Sequence, residues 1–105
     1  MSPSELAALA ASICPSDPPD LGIVRAVRVL MDAGIKTFES CEGGDAHAFR
    51  HPTVKFYGIQ SDGWRALAAC QAVGLPVSSL ERAWDIEDGE PSGPYWQIVF
   101  RRRLD

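Results

Sequence analysis

The sequence predicts an α+β domain, a two-layer sandwich in which helices pack on one face of a mostly antiparallel, four-stranded sheet. Segments with helical spacing of apolar residues alternate with segments in which such residues recur at every second position. The strand-like segments come in neighbouring pairs rather than in regular βαβ units, which gives the order α-α-β-β-α-β-β. A chain of 105 residues is long enough for one domain, 1–105, with its own core.

The first two predicted helices lie in the N-terminal third of the chain. Ser4 can cap a short helix over 5–12, which the following prolines cannot continue. Asp20 can cap a second helix over 21–33, and Gly34 ends it in the usual C-terminal position. The apolar residues of this second helix recur at helical spacing and predict its core face: Ile23, Val24, Val27, Leu30 and Met31.

Two segments in the middle of the chain alternate with period two and predict strands over 35–40 and 53–58. In the second strand, Val54 and Phe56 point to one side, and the other side is predicted to carry Thr53, Lys55 and Tyr57.

A third helix is predicted over 63–73, capped by Ser61 or Asp62 and ended by Gly74 and Pro76. The residues expected on its core side are Trp64, Leu67, Ala68 and Leu75.

The C-terminal part is typical of a hairpin with strands over 80–87 and 95–101 and a turn over 88–94. A competing pattern, Ser78-x-x-Glu81, resembles a capping box and would place one helical turn before the first of these strands. Each strand is predicted to place alternate residues on one face: Leu80, Arg82, Trp84 and Ile86 in the first, Trp96, Ile98 and Phe100 in the second.

The composition is that of a soluble globular protein, with 46% hydrophobic and 23% charged residues. The net charge of -4 disfavours nucleic-acid binding, which needs a positive surface, and we interpret the basic run 101–103 as solvated or ion-paired. No apolar run approaches the roughly 20 residues of a membrane span. The N-terminal apolar stretch lacks Lys and Arg and is short, so we do not interpret it as an export signal.

Three cysteines, Cys14, Cys41 and Cys70, form no disulfide framework because their number is odd and their contexts are scattered. Reduced thiols of this kind are typical of a cytoplasmic protein. Cys14 and Cys70 have the surroundings of structural cysteines, whereas Cys41 lies in a segment that predicts a site.

That segment is the loop over 40–52, "SCEGGDAHAFRHP", in which about a dozen residues follow a strand where a hairpin needs two to five. Glycine backbone can approach a ligand closely and present amide N–H groups. We therefore predict a site for a compact polar or anionic ligand. Its ligand-binding residues would be Ser40, Gly43, Gly44 and Asp45.

The same loop also supports a catalytic interpretation, with Cys41, Glu42 and His47 in the chemistry. Cys41-x5-His47-x3-His51 resembles a metal-ligand cluster, but the spacing matches no standard finger, so a metal is not the favoured interpretation. The sequence identifies no cofactor. A third hypothesis makes the protein a homodimer that pairs through an exposed sheet edge, with a loop that is only structural.

The stretch "AGIKTFESCEGGDAHAF", with the later "PTVKFYG" and "DGEPSGPYW", resembles a group of small uncharacterised bacterial and phage-borne proteins. Their shared pattern is Ser-Cys-Glu-Gly-Gly or Ser-Cys-Glu-Gly-His, and the resemblance covers roughly residues 33 to 100. It implies that residues 40–44 act as one unit and supplies no activity. Ser40, Cys41 and Gly43 also resemble an element of the methyltransferase family that helps build wybutosine in transfer RNA, from which we transfer no activity.

Overall fold

The computed structural model describes residues 2–13, 21–45 and 49–104, and these residues adopt the predicted α+β fold in the predicted order. Across the described residues no helix combines the length and the apolarity that crossing a lipid bilayer would need. The elements are α1 Pro3–Ile13, α2 Val24–Asp32, β1 Lys36–Cys41, β2 Thr53–Tyr57, α3 Gln60–Ala72, β3 Val77–Glu87 and β4 Glu90–Phe100.

The four strands form one sheet in the order β1-β2-β4-β3, and every neighbouring pair is antiparallel. The short β2 strand is therefore central, while β1 and β3 are the two edges. Phe56 of β2 lies opposite Trp96 of β4, which places both rings on the same face of the sheet. Large apolar side chains therefore lie on one face of the sheet, and the polar residues that alternate with them lie on the other face.

The helices cover the apolar face and form the core with it. Val54, Phe56 and Ile98 of the sheet are fully buried, as are Leu30 of α2 and Ala66 of α3. Burying a large aliphatic or aromatic side chain contributes about 1.5–3 kcal/mol, so this layer dominates the stability of the domain. A smaller cluster joins α1 to α2 through Leu6, Ala10 and Val24.

The predicted core face of α3 is wrong in part. Trp64 is 57% exposed and Ala68 also faces solvent, whereas Gly63 and Cys70 are buried. The expected burial of Leu75 is confirmed, and Leu67 is half-buried.

The reason is that β4 supplies the large ring at this contact. A Cβ added to Gly63 would lie 2.7 Å from Cζ2 of Trp96, so α3 approaches the sheet through its smallest residues. The indole N–H of Trp96 donates to the carbonyl oxygens of Gly58 and Ile59 at 3.2 and 3.1 Å.

The start of α3 also differs from the prediction. The helix begins at Gln60 rather than after a Ser61 or Asp62 cap, and Ile59 occupies the N-cap position. The carboxylate of Asp62 accepts a hydrogen bond from the Ile59 N–H at 2.8 Å, which satisfies a donor at the helix start.

The C-terminal hairpin turns earlier than predicted. Asp88 and Gly89 have φ values of 51° and 81°, which are the left-handed values of a two-residue turn, so β4 already begins at Glu90. The predicted seven-residue turn is wrong because an Asp-Gly pair alone closes the hairpin. The helical turn considered at Ser78 and Glu81 is wrong as well, since both residues lie in β3.

Candidate functional site

The loop between β1 and β2 closes on itself through its glycines. Gly43 and Gly44 have φ values of 86° and 124°, a region that only glycine adopts without strain. The Gly44 N–H donates to the Arg50 carbonyl at 3.0 Å. A Cβ on Gly43 would lie 2.8 Å from backbone atoms of His51 and Pro52. The turn itself therefore requires both glycines, and the Gly44 amide is bonded within the loop.

Ser40 and Cys41 lie on opposite faces of the sheet. Ser40 is opposite Val54, whose side chain is in the core, whereas Cys41 is opposite Thr53. Because successive side chains of a strand alternate, the hydroxyl and the thiol diverge. Ser40 is half-buried, and Cys41 is only 6% exposed.

Glu42 connects the loop to two other parts of the chain. Its carboxylate accepts a hydrogen bond from the Gly22 N–H at 2.8 Å and lies 3.4 Å from the Arg103 guanidinium. The Glu42 side chain is only 18% exposed, so it is largely covered by the protein. A Cβ on Gly22 would overlap the carboxylate, which explains a small residue just before α2. Glu42 thus joins the start of α2 and the C-terminal segment to the end of β1.

The remaining predicted site residues are spread over the loop surface. Asp45 and His51 are exposed, and the His51 carbonyl accepts a hydrogen bond from the Thr53 hydroxyl at 2.9 Å. His47 lies outside the described residues, so the proposed triad of Cys41, Glu42 and His47 stays a hypothesis. Within the described residues, no three His, Cys, Asp or Glu side chains converge in a way that could hold a metal ion.

Cys70 belongs to the core rather than to a site. Burial raises the pKa of its thiol to about 11, so the group stays protonated and unreactive at neutral pH. In the described part of the chain Cys41 and Cys70 are both free thiols, and Cys14 lies outside that part.

The face of the sheet turned away from the helices carries a different set of side chains, which we name the open face. The register places Lys36 opposite Tyr57, and Glu39, Lys55, Gln97 and Glu81 in one row across the four strands. The same face also carries Cys41, Thr53, Ser79 and Val99. We use the name for its polar and aromatic central part, which comprises Lys36, Phe38, Glu39, Lys55, Tyr57, Glu81, Tyr95 and Gln97.

Three of these residues form an aromatic cluster. The ring of Phe38 stacks on that of Tyr57, with centroids 4.2 Å apart and planes at 23°. Phe38 also meets Tyr95 edge to face, with centroids 5.7 Å apart. Phe38 and Tyr57 remain 43% and 50% exposed, whereas Tyr95 is 8% exposed. Large rings that are half-exposed and mutually fixed offer a rigid apolar surface to a ligand.

A bulge in β1 places a carboxylate beside this cluster. The pairing with β2 shifts between Thr37 and Glu39, so Thr37 faces Phe56 while Glu39 faces Lys55. The extra residue is Phe38, which stays on the side of Lys36, so that Phe38 and Glu39 both lie on the open face. Without the bulge, Phe38 would lie opposite Lys55 and Glu39 would turn to the helix-covered face.

Lys55 stands at the centre of the open face. Its ammonium lies 2.8 Å from the Glu39 carboxylate and about 5 Å from the ring centroids of Phe49 and Tyr95. Burial alone lowers the pKa of Lys55, but the hydrogen bond and charge of Glu39 outweigh it, so the pKa lies above its usual 10.5. Since Phe49 belongs to the loop, the same contact brings the loop back over the open face.

Tyr95 is held by the hairpin. Its hydroxyl donates to the Asp85 carboxylate at 3.0 Å. Burial, followed by this hydrogen bond, raises the pKa of Tyr95, so the hydroxyl stays protonated and keeps donating at neutral pH. The aromatic cluster is therefore fixed from two sides, by Lys55 beneath and by Asp85 at the hairpin.

Inspection of the sequence missed most of these residues as a site. Alternation with Val54 and Phe56 did place Lys55 and Tyr57 together on the polar side of β2. Alternation in β1 groups Phe38 with Lys36, but which side of that strand lies beside Tyr57 depends on the register with β2.

No protein-family model, curated protein or solved structure matches the chain. The resemblance to proteins with a Ser-Cys-Glu-Gly-Gly pattern therefore stays a prediction.

Proposed function

We propose that this protein is a small binding domain that holds a compact, uncharged, planar heterocycle, of the size of a nucleobase, on its open face beside the 40–52 loop. The observation that carries the proposal is the stacked pair Phe38 and Tyr57, of which about half remains exposed at a ring separation of 4.2 Å. Such rings stack on any flat π-system, and each base–aromatic contact contributes about 1–3 kcal/mol.

The polar groups around the rings favour a neutral ligand with both donors and acceptors. Lys36 and Lys55 offer ammonium groups, while Glu39 and Glu81 offer carboxylates, and the Tyr57 ring carries a hydroxyl. Because positive and negative groups are balanced here, neither an anion nor a cation gains a strong net attraction. A free heterocycle also suits the overall charge of -4, which would repel a nucleic-acid polymer.

The loop borders this site on one side. The Gly44 amide is bonded to Arg50, and Glu42 brings negative charge, so an anion would have to displace existing contacts. Phe49 of the loop packs its ring toward Lys55 on the open face. The loop therefore contributes to the site through Phe49, and the bonded Gly44 amide and the Glu42 carboxylate favour a polar ligand over an anionic one.

Titration followed by NMR tests the proposal with two probes, adenosine and inorganic phosphate. Adenosine is expected to shift resonances of the open face, and Phe38→Ala and Tyr57→Ala are each expected to weaken its binding about tenfold. Trp64→Ala is the matched control, because Trp64 is 57% exposed on α3 and away from this face. Binding of phosphate without adenosine, or equal losses in all three variants, would overturn the proposal.

An enzyme that uses Cys41, Glu42 and His47 is the second candidate function, and its support is the closeness of these residues in sequence. The thiol is buried and Glu42 already bonds Gly22, so the arrangement would have to open before it could react. A rate of thiol modification much faster at Cys41 than at Cys70 would favour it. Zinc or iron at one equivalent after purification without chelator would favour the metal version with His51. We place either activity in the cytoplasm, where free thiols persist.

A further inference from the structure

The β3 edge of the sheet has the features of a pairing surface. β3 spans 11 residues, Val77–Glu87, and no other strand of the described chain pairs with its outer side. Trp84 and Ile86 are 54% and 69% exposed, in a stretch of the hairpin, residues 84–91, in which every residue is exposed. Rows of unpaired backbone groups beside exposed apolar side chains are templates for another strand.

The direction of the backbone groups along β3 follows from β4. The Phe100 N–H donates to the Pro52 carbonyl on the β2 side, and the Arg101 N–H donates to Pro76 on the β3 side. Because the direction of the backbone N–H and C=O groups alternates along a strand, these groups of Trp96 and Ile98 also point toward β2. Their neighbours across the ladder, Arg82 and Leu80, therefore direct their own N–H and C=O groups outward. The next outward residue is Trp84.

The two edges of the sheet differ in their protection. β1 has only six residues, carries Lys36 and Glu39, and is interrupted by its bulge. Short length, charge and bulges are the usual devices that prevent edge pairing. β3 also carries charged residues, and its pairing with β4 shifts between Val77 and Ser79 and between Ala83 and Asp85. It nevertheless spans 11 residues, contains no Pro, Gly or Lys, and pairs regularly from Ser79 to Ala83. Of the two edges in the described chain, β3 is thus the more open to a further strand.

We propose that two copies of this chain pair antiparallel through β3, around a twofold axis at Ala83, and so form one continuous eight-stranded sheet. This register places Arg82 opposite Trp84 of the second copy and Leu80 opposite Ile86 of the second copy. The guanidinium of Arg82, already 5.2 Å from the Trp96 ring, then lies between two indoles. The exposed side chains of Trp84 and Ile86 are then buried against β3 of the second copy.

Other registers are less favourable. An axis at Arg82 would place two guanidinium groups opposite each other, and an axis at Glu81 would do the same with two carboxylates. An axis at Trp84 would leave Leu80 without an apolar neighbour. The register at Ala83 has one weak point, because Glu81 then faces Asp85 of the second copy on the open side.

Light scattering over a range of protein concentrations tests the pairing. The unmodified chain is expected to shift from monomer to dimer, and Ile86→Lys is expected to weaken the dimer about tenfold or more, since inward lysines block edge pairing. Ile59→Lys is the matched control, because Ile59 is 67% exposed but lies outside β3. It should leave the dimer unchanged. A chain that stays monomeric at every concentration, or equal weakening by both lysines, would overturn the pairing.

Glu81→Gln tests the register. Removing this charge relieves repulsion with Asp85 of the second copy, so the dimer should become several-fold tighter. An unchanged or weaker dimer would overturn the axis at Ala83. Circular dichroism of each variant distinguishes a lost interface from a lost fold, and an Ile86→Lys chain that is folded and monomeric supports the proposal. Pairing at this edge leaves Phe38 and Tyr57 free, so adenosine binding to these rings is tested separately from the dimer.

Discussion

The two faces of the sheet use aromatic side chains in opposite ways. On the helix-covered face, Phe56 and Trp96 fill the space that Gly63 and Ala66 leave, and Phe56 is fully buried. On the open face, Phe38 and Tyr57 stack on each other and stay about half exposed. The difference teaches that ring content alone does not mark a core. A ring is buried where an opposing layer of helices packs small side chains against it, and it stays exposed where no such layer is present.

The largest expected effect compares two neighbours in β2. Phe56→Ala should lower the free energy of unfolding by about 3–5 kcal/mol, because it removes a buried ring and leaves a cavity. Tyr57→Ala should cost under about 1 kcal/mol, since Tyr57 is 50% exposed. Urea unfolding of both variants measures the contrast. Similar losses would show that the open face contributes to the core after all.

The second effect concerns the loop that borders the open face. Gly43→Ala should cost about 2–4 kcal/mol, because alanine is strained at a φ of 86° and its Cβ meets the backbone at 2.8 Å. Gly34→Ala is the matched control, since Gly34 has a φ of 80° but no atom within 4 Å of the added carbon. It should cost about 1 kcal/mol. Thermal unfolding of both variants checks the difference, and equal losses would mean that the loop is loosely packed.

The third effect tests how strictly the helix-covered face excludes charge. Burial raises the pKa of Cys70 from 9.0 to about 11, so the folded chain keeps a proton that the unfolded chain loses. This contribution is fully present below pH 9 and is lost as the pH rises to 11, by about 1–2 kcal/mol. Unfolding at pH 8 and pH 10.5 measures it. The free energy of unfolding of Cys70→Ala should fall less over that interval. An equal fall in both chains would assign the loss of stability to other titrating groups.

The smallest effect compares an ion pair on the open face with one on a helix. Glu39→Gln should cost about 1 kcal/mol, because its partner Lys55 is only 14% exposed and keeps an ammonium without its carboxylate. Asp32→Asn should cost under about 0.5 kcal/mol, since both members of the Arg28–Asp32 pair are largely exposed. Denaturant midpoints of the two variants check the order. A reversal would mean that Lys55 is well solvated.

The element order and the sheet content followed from periodicity, since Val54 and Phe56 alternate with Lys55 and α2 repeats at helical spacing. The same signal failed for α3, where Trp64 was expected inside. A periodic pattern identifies a helix. It does not show which side of the helix is buried when the largest apolar residue, here Trp64, lies on the exposed side. Trp96 from β4 occupied that position, and only Gly63 could allow its ring so close.

The candidate site divides along similar lines. The sequence drew attention to residues 40–44, and the structure places them in a closed turn whose Ser40 and Cys41 side chains diverge. The open face beside it joins residues from all four strands, and its members range along the chain from Lys36 to Gln97. Long-range register, rather than local pattern, brings such groups together.

By itself the sequence determined the fold class, the order of the helices and strands, and the faces of β2, because local periodicity and turn residues are properties of short segments. Only the tertiary structure decided the bulge that brings Glu39 to the same face as Phe38, the side of α3 that meets the sheet, and the contacts of Glu42 with Gly22 and Arg103. These depend on which atoms occupy the space opposite a residue, and that space is filled by parts of the chain that are distant in sequence.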